Sequence, residues 1–372
     1  AAGNPSAGNE TRLYRSGNDA NIGNFTYQVT ANPLATSTYI SQSDGVSLKG
    51  FFKHQDYLYP VKEKSLWRSN VGTDTYQLIT NEMIDPARGC DSHFSIDTVD
   101  NDNFMFNEQG IYATGYEPNI LDQIRTNIVS LRIDPKLKAI QKSRLDDVVG
   151  IYYDNHYYIS YTSGGGTAND TIMVYDRQRL GWWEFQVSDS SGTLTGANCF
   201  SEYKDTNGQT RLYFGSATDG SIYYFDDTVK QDSGWTIITD WKSKCFEFGD
   251  YSQEKFFLEV LPYFGKMAGN PTINVYIDGQ LVKSESVFIG NTGYAGIGID
   301  SIGVSMIGVE GGSLDIADTG GGDFVKIAIG QKGRNIQVEI SDEDLTGQKG
   351  WELNALTFHY NPQNPLFQPD TR

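Results

Sequence analysis

GIYYDNHYYISYTSGGGTANDTIMVYDRQRLGWWEF, residues 150–185, decides how the rest of this 372-residue sequence is read. Aromatic and β-branched residues fall there in short runs divided by turn formers. That texture predicts strands at Gly150–Tyr153, His156–Thr162, Thr171–Tyr175 and Trp182–Gln186. Asp154-Asn155 predicts a tight hairpin turn, because Asn and Asp tolerate positive φ and bond their own backbone. Ser163 to Asp170 opens a longer Gly-rich loop, and Asp176 to Gly181 turns the chain into Trp182-Trp183. Four antiparallel strands of this kind make one sheet the size of a propeller blade.

The pattern recurs along the chain. Phe51–Tyr59 reads as a strand ending Tyr57-Leu58-Tyr59, followed after a turn by Ser65-Leu66-Trp67. Asn103–Asn107 carries Phe104-Met105-Phe106 and leads into Ile111-Tyr112; Leu212-Tyr213-Phe214 leads through Thr218-Asp219-Gly220 into Ile222-Tyr223-Tyr224. A recurrence of roughly 45–60 residues suits blades rather than a solenoid. One blade cannot bury both its faces alone, whereas a ring of blades can. The expectation is an all-β chain with a β-propeller of about five blades at residues 1–250, preceded by a Gly- and Asn-rich arm over residues 1–24. A β-sandwich with a coincidental repeat is the competing reading. Only Asn119 to Ile128 has any helical character.

After Asp250 the strands lengthen: Lys255–Phe264, Thr272–Asp278, Phe324–Ile329, Asn335–Ile340 and Leu353–Tyr360 alternate cleanly, with a hairpin signal at Asp278-Gly279. They predict a second domain, residues 251–372, folded as a β-sandwich or jelly roll. It carries an insert, residues 286–322, with eleven glycines. Within it Tyr294, Ile297, Ile299, Ile302, Val304, Met306 and Ile307 form the candidate interface, since long loops are usually functional or packed on a partner. An extra weak hairpin along the sandwich edge explains the insert equally well. The arm and the tail Asn361–Arg372 are further contact candidates.

Composition supports the all-β reading: 13% of residues are aromatic and 40 are Gly, which suits many short strands divided by turns. The net charge of −18 argues against a protein that grips nucleic acid by its phosphates. It fits plain solubility, a halophilic host, or a surface past which DNA slides. Cys90, Cys199 and Cys245 lie far apart without a CxxC pair and read as buried small hydrophobes. His54, His93, His156 and His359 show no metal-ligand spacing, and no cofactor is expected. No apolar run is long enough to span a membrane. The start, Ala1-Ala2-Gly3-Asn4, has no Met and no signal-like segment, so a processed or truncated start is expected.

No nucleophile elbow, P-loop or zinc-protease motif is present. Some propellers are glycosidases that work with paired carboxylates, which makes Asp56, Asp91, Asp102, Asp154 and Asp219 the acids to test. All but Asp56 sit in turn-like settings, where Asp commonly bonds the backbone. Asp100-Asn101-Asp102-Asn103 and Asp205-Thr206-Asn207-Gly208 offer oxygen ligands but lack the downstream Glu of a calcium loop. Trp182-Trp183 and the tyrosines suit sugar stacking, yet blade cores need large aromatics too.

Gly110-Ile111-Tyr112, IMVYDRQRLGWWEF (172–185), LYFGSATDGSIYYF (212–225), WKSKCFEFG (241–249), GRNIQVEIS (333–341) and WELNALTFHY (351–360) follow one another in an order that resembles a known family. It is that of the propeller-plus-sandwich tail and connector proteins of tailed bacteriophages and related archaeal viruses, of nozzle, stabilisation or baseplate type. The resemblance runs over roughly residues 44–360. It implies a virion structural protein without enzymatic activity, assembled with copies of itself in a ring such as a hexamer at the tail or portal vertex. Neighbouring tail and portal proteins would be its partners, and DNA would pass without specific binding. Two other classes stand beside it: a receptor- or carbohydrate-binding protein at a tail tip, and a propeller glycoside hydrolase.

Overall fold

A computed structural model describes residues 12–15, 36–41, 44, 46–54, 57–70, 80–116, 124–226, 231–249, 251, 253–267, 271–290, 314–317, 323–342 and 351–362. Among them the chain is all-β. The stretch quoted above folds as Val149–Tyr153, His156–Tyr161, Thr171–Asp176 and Gly181–Phe185, joined in that order into one antiparallel sheet. Asp154 (φ 47°) and Asn155 (φ 62°) both adopt the left-handed conformation that its first turn requires.

Two more sheets repeat this up-and-down order. One holds Leu48–His54, Tyr57–Lys62, Leu66–Asn70 and Thr80–Asp85; the next holds Asp97–Val99, Asp102–Asn107, Gly110–Tyr116 and Ile124–Ile128. A fourth sheet has three strands, Ala197–Lys204, Thr210–Ser216 and Ile222–Tyr224. In chain order these are blades 1 to 4. The expected single strand Phe51–Tyr59 is a hairpin, its arms paired from Leu48 with Lys62 to His54 with Tyr57. Ile124–Ile128, expected to have helical character, pairs with Gly110–Tyr116 as the outer strand of blade 2. Tertiary pairing overrides a weak local preference there. The short helix lies later, at Asp134–Lys138, with Pro135 in its first turn.

The blades are held by sharing faces. In Asp102–Asn107, Phe104 and Phe106 join Tyr157, Ile159, Met173 and Tyr175 of blade 3 in one core. Met105, between them in sequence, joins Phe52, Tyr59, Val61 and Leu66 of blade 1. Ile111 and Tyr112 divide in the same way. Successive side chains of a strand point to opposite faces, so blade 2 is apolar on both sides and covers a neighbour with each. Each such side chain contributes roughly 1.5–3 kcal/mol on burial. Blade 3 meets blade 4 through Val149, Ala197 and Phe214. The first strand of blade 3 lies beside the first strands of blades 2 and 4, as in a propeller.

Polar groups in these interfaces are matched across blades. The buried Tyr157 hydroxyl donates to Ser95 O at 2.6 Å, and the Tyr152 N–H to Asp97 Oδ2 at 2.7 Å. Arg177 of the blade 3 turn bridges Asp100 and Asp102 of blade 2. Asn169 Nδ2 donates to Asp147 O and Ala197 O at 2.9 and 2.8 Å, tying blade 3 to blade 4. On the other flank of blade 1, Leu13 and Ile40 cover Leu48; they belong to or adjoin the paired strands Arg12–Arg15 and Thr36–Tyr39. Of the expected arm, only Arg12–Arg15 falls within the described residues.

The chain divides into compact units at residues 1–225 and 226–372. The expected boundary at 250 moves toward the N-terminus, because Thr239–Lys242 pairs with Ile336–Asp342 and so belongs to the second unit. That unit has one sheet ordered Thr239–Lys242, Ile336–Asp342, Thr272–Ile277, Gln280–Gly290 and Leu314–Ala317. In the other, Lys255–Met267 pairs with Trp351–Pro362 and with Ile327–Gly333 and Asp323–Phe324. Phe257, Val260, Phe264 and Ile327 of this sheet share one core with Ile273, Val275, Ile336 and Val338 of the first. Asp278 (φ 49°) and Gly279 (φ 79°) form the expected hairpin turn. Tyr294, Ile297, Ile299, Ile302, Val304, Met306 and Ile307 lie outside the described residues, as do residues 363–372. Among the described residues no helix is long and apolar enough to cross a membrane.

Lys62 is the buried charge that fixes the flank of blade 1. Its ammonium, fully enclosed, donates to Ile40 O and Ser41 O at 3.2 Å and to Asp44 Oδ1 at 2.5 Å. Three donors meet three acceptors. Lys62→Met keeps the stem but takes the ammonium donor from the buried Ile40 carbonyl and the cation from Asp44, so urea unfolding followed by Trp fluorescence is expected to show a loss of about 1–3 kcal/mol.

Candidate functional site

Two places in the first unit bring chemistry-bearing side chains together. The first is the outer face of blade 4. Alternation along its strands sends Phe200, Phe214 and Tyr223 toward blade 3, where they pack with Val149 and Ala197. The opposite set faces outward. Tyr203 pairs in register with Arg211, and Tyr213 with Tyr224. The Tyr203 and Tyr213 rings meet edge-on at 5.9 Å, and the Tyr213 and Tyr224 rings lie tilted at 45° with centres 5.5 Å apart. The Arg211 guanidinium lies 4.7 Å from the centre of the Tyr224 ring and pairs with Asp205 at 3.3 Å. Tyr203 is 65% exposed and Tyr224 46%. Three aromatic rings thus cross three adjacent strands as a continuous, partly open strip, edged by an arginine already neutralised by its own carboxylate. A strip of this kind offers apolar ring faces and hydroxyl groups side by side.

The second place is Asp91, in the link between blades 1 and 2. Its carboxylate is buried and accepts the Glu108 N–H at 2.6 Å, while its own N–H donates to Phe106 O at 2.9 Å. Burial pushes the carboxyl up to about 6; the Glu108 N–H holds it down, Glu63 adds to the rise and Lys49 opposes it. Lys49 itself donates to Asp146 Oδ1 at 2.6 Å, so a carboxylate from the next link, before blade 3, joins the cluster.

The other sequence candidates do turn work. Asp102, half-buried, pairs with Arg177. Asp154 occupies the left-handed hairpin position. Asp219 accepts from the Ser221 N–H and the Tyr223 hydroxyl, and hydrogen bonds from Ser216 and Tyr223 hold it well below the usual carboxylate range. Asp56 lies outside the described residues. Asp205 accepts from the Asn207 and Gln209 N–H groups. Trp182 donates to Val129 O and packs on Tyr175, whereas Trp183 stays 41% exposed. Cys90 is buried, its thiol pushed up to about 11 by burial. Cys199 and Cys245 are exposed, which corrects the reading of all three as buried hydrophobes. Cys199 stands on the uncovered side of the last sheet, where its strand bulges against Thr210–Ser216.

Tyr203 and Arg211 were not singled out by the sequence. The signal that marks them is the alternation of TRLYFGS (210–216), whose Leu212 and Phe214 side is buried and whose Arg211 and Tyr213 side is not.

No protein-family model matches this chain, and no curated protein is similar to it. Solved structures of related shape are distant. An exo-β-1,3-galactanase from Phanerochaete chrysosporium shares 10% identity over 84% of this chain and 82% of its own, at a TM-score of 0.26. A family 43 arabinoxylan arabinofuranohydrolase from Bacillus subtilis shares 10% over 93% and 92%, at 0.20. The S. cerevisiae core factor shares 9% over 93% of this chain and 52% of its own, at 0.29. Glycoside hydrolases recur among these neighbours, which corrects two expectations, the virion ring and the absence of an enzyme. Neither is carried further, and at such distance the likeness supplies no function in their place. What the chain does is argued from its own side chains.

The Asp91 carboxyl has a testable consequence. Its pKa is about 6 in the folded chain against 3.8 for the ordinary group. The folded state therefore binds the proton more tightly, and stability falls as pH rises from about 4 through 6. Asp91→Asn keeps an acceptor for the Glu108 N–H and removes the buried charge. Melting temperatures should match the parent near pH 4 and exceed it at pH 8, by an amount equivalent to about 2–3 kcal/mol.

Proposed function

We propose that this chain is a glycan-binding β-propeller protein, with its blades in the first unit and a β-sandwich in the second. The observation that carries the reading is the strip on the outer face of blade 4, with Tyr203 and Tyr224 exposed and Tyr213 half-buried between them, where every other large ring of that blade is turned inward. Exposed aromatic area on a rigid sheet stacks on the apolar face of a pyranose, while the phenol hydroxyls and Arg211 reach its hydroxyl groups. The net charge of −18 sets the ligand class. A surface so acidic repels uronates, sulfated sugars and nucleic acid, and Arg211 is already paired with Asp205. Neutral oligosaccharides remain.

A second reading, glycoside hydrolysis, has one observation behind it. Asp91 holds its proton to about pH 6 beside Glu63, as a general acid must. Reducing-end release from the oligosaccharides that bind, lost in Asp91→Asn, would establish it. No release from any of them would remove it and leave binding intact.

Titration calorimetry with neutral xylo-, galacto- and cello-oligosaccharides tests the main reading. Tyr203→Ala and Tyr224→Ala are each expected to weaken binding about five- to tenfold, equivalent to about 1–1.4 kcal/mol. Absence of binding to all three, or binding indifferent to both substitutions, would end it.

A further inference from the structure

Among the described residues blade 4 has one strand fewer than its neighbours. Blades 1 to 3 have four strands each, and among the described residues blade 4 ends with its third, Ile222–Tyr224. The phase of its ladder is fixed by two flanking bonds, Ser216 N–H to Ser221 O and Phe225 N–H to Leu212 O. With Phe214 opposite Tyr223, the Tyr223 backbone faces the second strand, and the N–H and C=O of Ile222 and Tyr224 face the other way. Neither residue has a backbone partner on that side among the described residues. Their side chains are also open: Ile222 is 76% exposed and Tyr224 46%.

An unpaired ladder edge carrying exposed apolar side chains is what an added strand covers. The sequence brackets this edge with Asp219 on one side and Asp226-Asp227 on the other. Two copies at −18 each repel one another, whereas a strand with cationic ends is attracted. We propose that the edge Ile222–Tyr224 accepts, as a fourth strand, an extended segment of a partner protein that is apolar at alternate positions and carries Lys or Arg at its ends. The glycan strip lies on the face of this sheet and the partner on its edge, so the two readings stand or fall separately.

Fluorescence anisotropy with the full chain and a labelled peptide, Lys-Thr-Val-Thr-Val-Thr-Lys, tests it. Saturable binding is expected, weakened about tenfold or more when glutamate replaces both lysines of the peptide. Ile222→Pro removes an outward N–H at an edge position where proline is tolerated, and should weaken peptide binding by about tenfold or more. Ile222→Lys keeps that N–H but places a cation beside the incoming lysines, and should weaken it as well. Tyr203→Ala, at the far side of the sheet from this edge, should leave peptide binding unchanged. Three results would overturn the proposal: no binding, binding indifferent to both Ile222 variants, or self-association of the chain abolished by Ile222→Pro. The last would give the edge to a second copy.

Discussion

A sheet that is apolar on both faces cannot stand in water by itself, and blade 2 is such a sheet. Phe104 and Phe106 point one way, Met105 and Tyr112 the other, and each set is fully or almost fully buried. The rest of the first unit follows from that constraint. Blades must come in series, because each covered face exposes the need of the next. Such a series leaves a question at its two flanks. At blade 1 the answer is Leu13 and Ile40, laid over Leu48 beside the half-buried Leu58 and Trp67. At blade 4, three tyrosines remain partly open, and the functional reading grows from this difference between the two flanks.

Face sharing places backbone and polar groups between blades, and each has to be satisfied there. Tyr157 shows the solution: wholly buried, its phenol held protonated well above the usual value by burial, it donates to the Ser95 carbonyl of the neighbouring link. Ser160 does likewise for blade 4, accepting the Ala197 N–H at 2.8 Å. Close backbone approach is part of the same design. A side chain at Gly89 would sit 2.1 Å from the Lys62 carbonyl, which accepts the Cys90 N–H at 3.0 Å. Asp91 follows directly after this contact, so its burial comes from the backbone geometry of the link. A carboxylate placed there opposes stability at neutral pH, and natural proteins keep such groups where a proton is used or where a turn demands the acceptor. Its bond to the Glu108 N–H satisfies the second condition.

How much of this the sequence shows depends on how local the cause is. Blade 3 and the hairpin at Asp278-Gly279 were legible nearly to the residue, because Asp-Asn and Asp-Gly turn signals and period-2 alternation act within a few residues of one another. The hairpin Leu48–His54 with Tyr57–Lys62 was not, since Gln55-Asp56 between its arms is no Asn-Gly type signal. Ile124–Ile128 failed for the opposite reason: its identity as a strand depends on pairing with Gly110–Tyr116, a non-local fact. The candidate site belongs to this second kind. Tyr213 and Tyr224 have the same composition as the buried Tyr157 and Tyr175, and only the absence of a covering sheet distinguishes them. Cys199 and Asp91 were misjudged or passed over alike, one by assuming burial and one by assuming an exposed turn.

Tyr224 belongs to two surfaces at once. Its ring closes the tyrosine strip on the face of blade 4, and its backbone forms half of the open edge. A strand added at that edge extends the face by one row directly beside this ring. Side chains of the new row on the outer face stand about 5 Å from it, within reach of anything stacked there. Occupants of face and edge are therefore neighbours, and any effect of one on the affinity of the other must be returned in equal measure. The sign follows from the incoming residue. A small polar side chain opposite Tyr224 supplies hydroxyls to a neutral sugar and favours both occupants, whereas a bulky one occupies the space over the ring and sets them against each other. Ile222 falls on the same face by the alternation of the strand, so the same argument applies there, with an aliphatic surface in place of a ring.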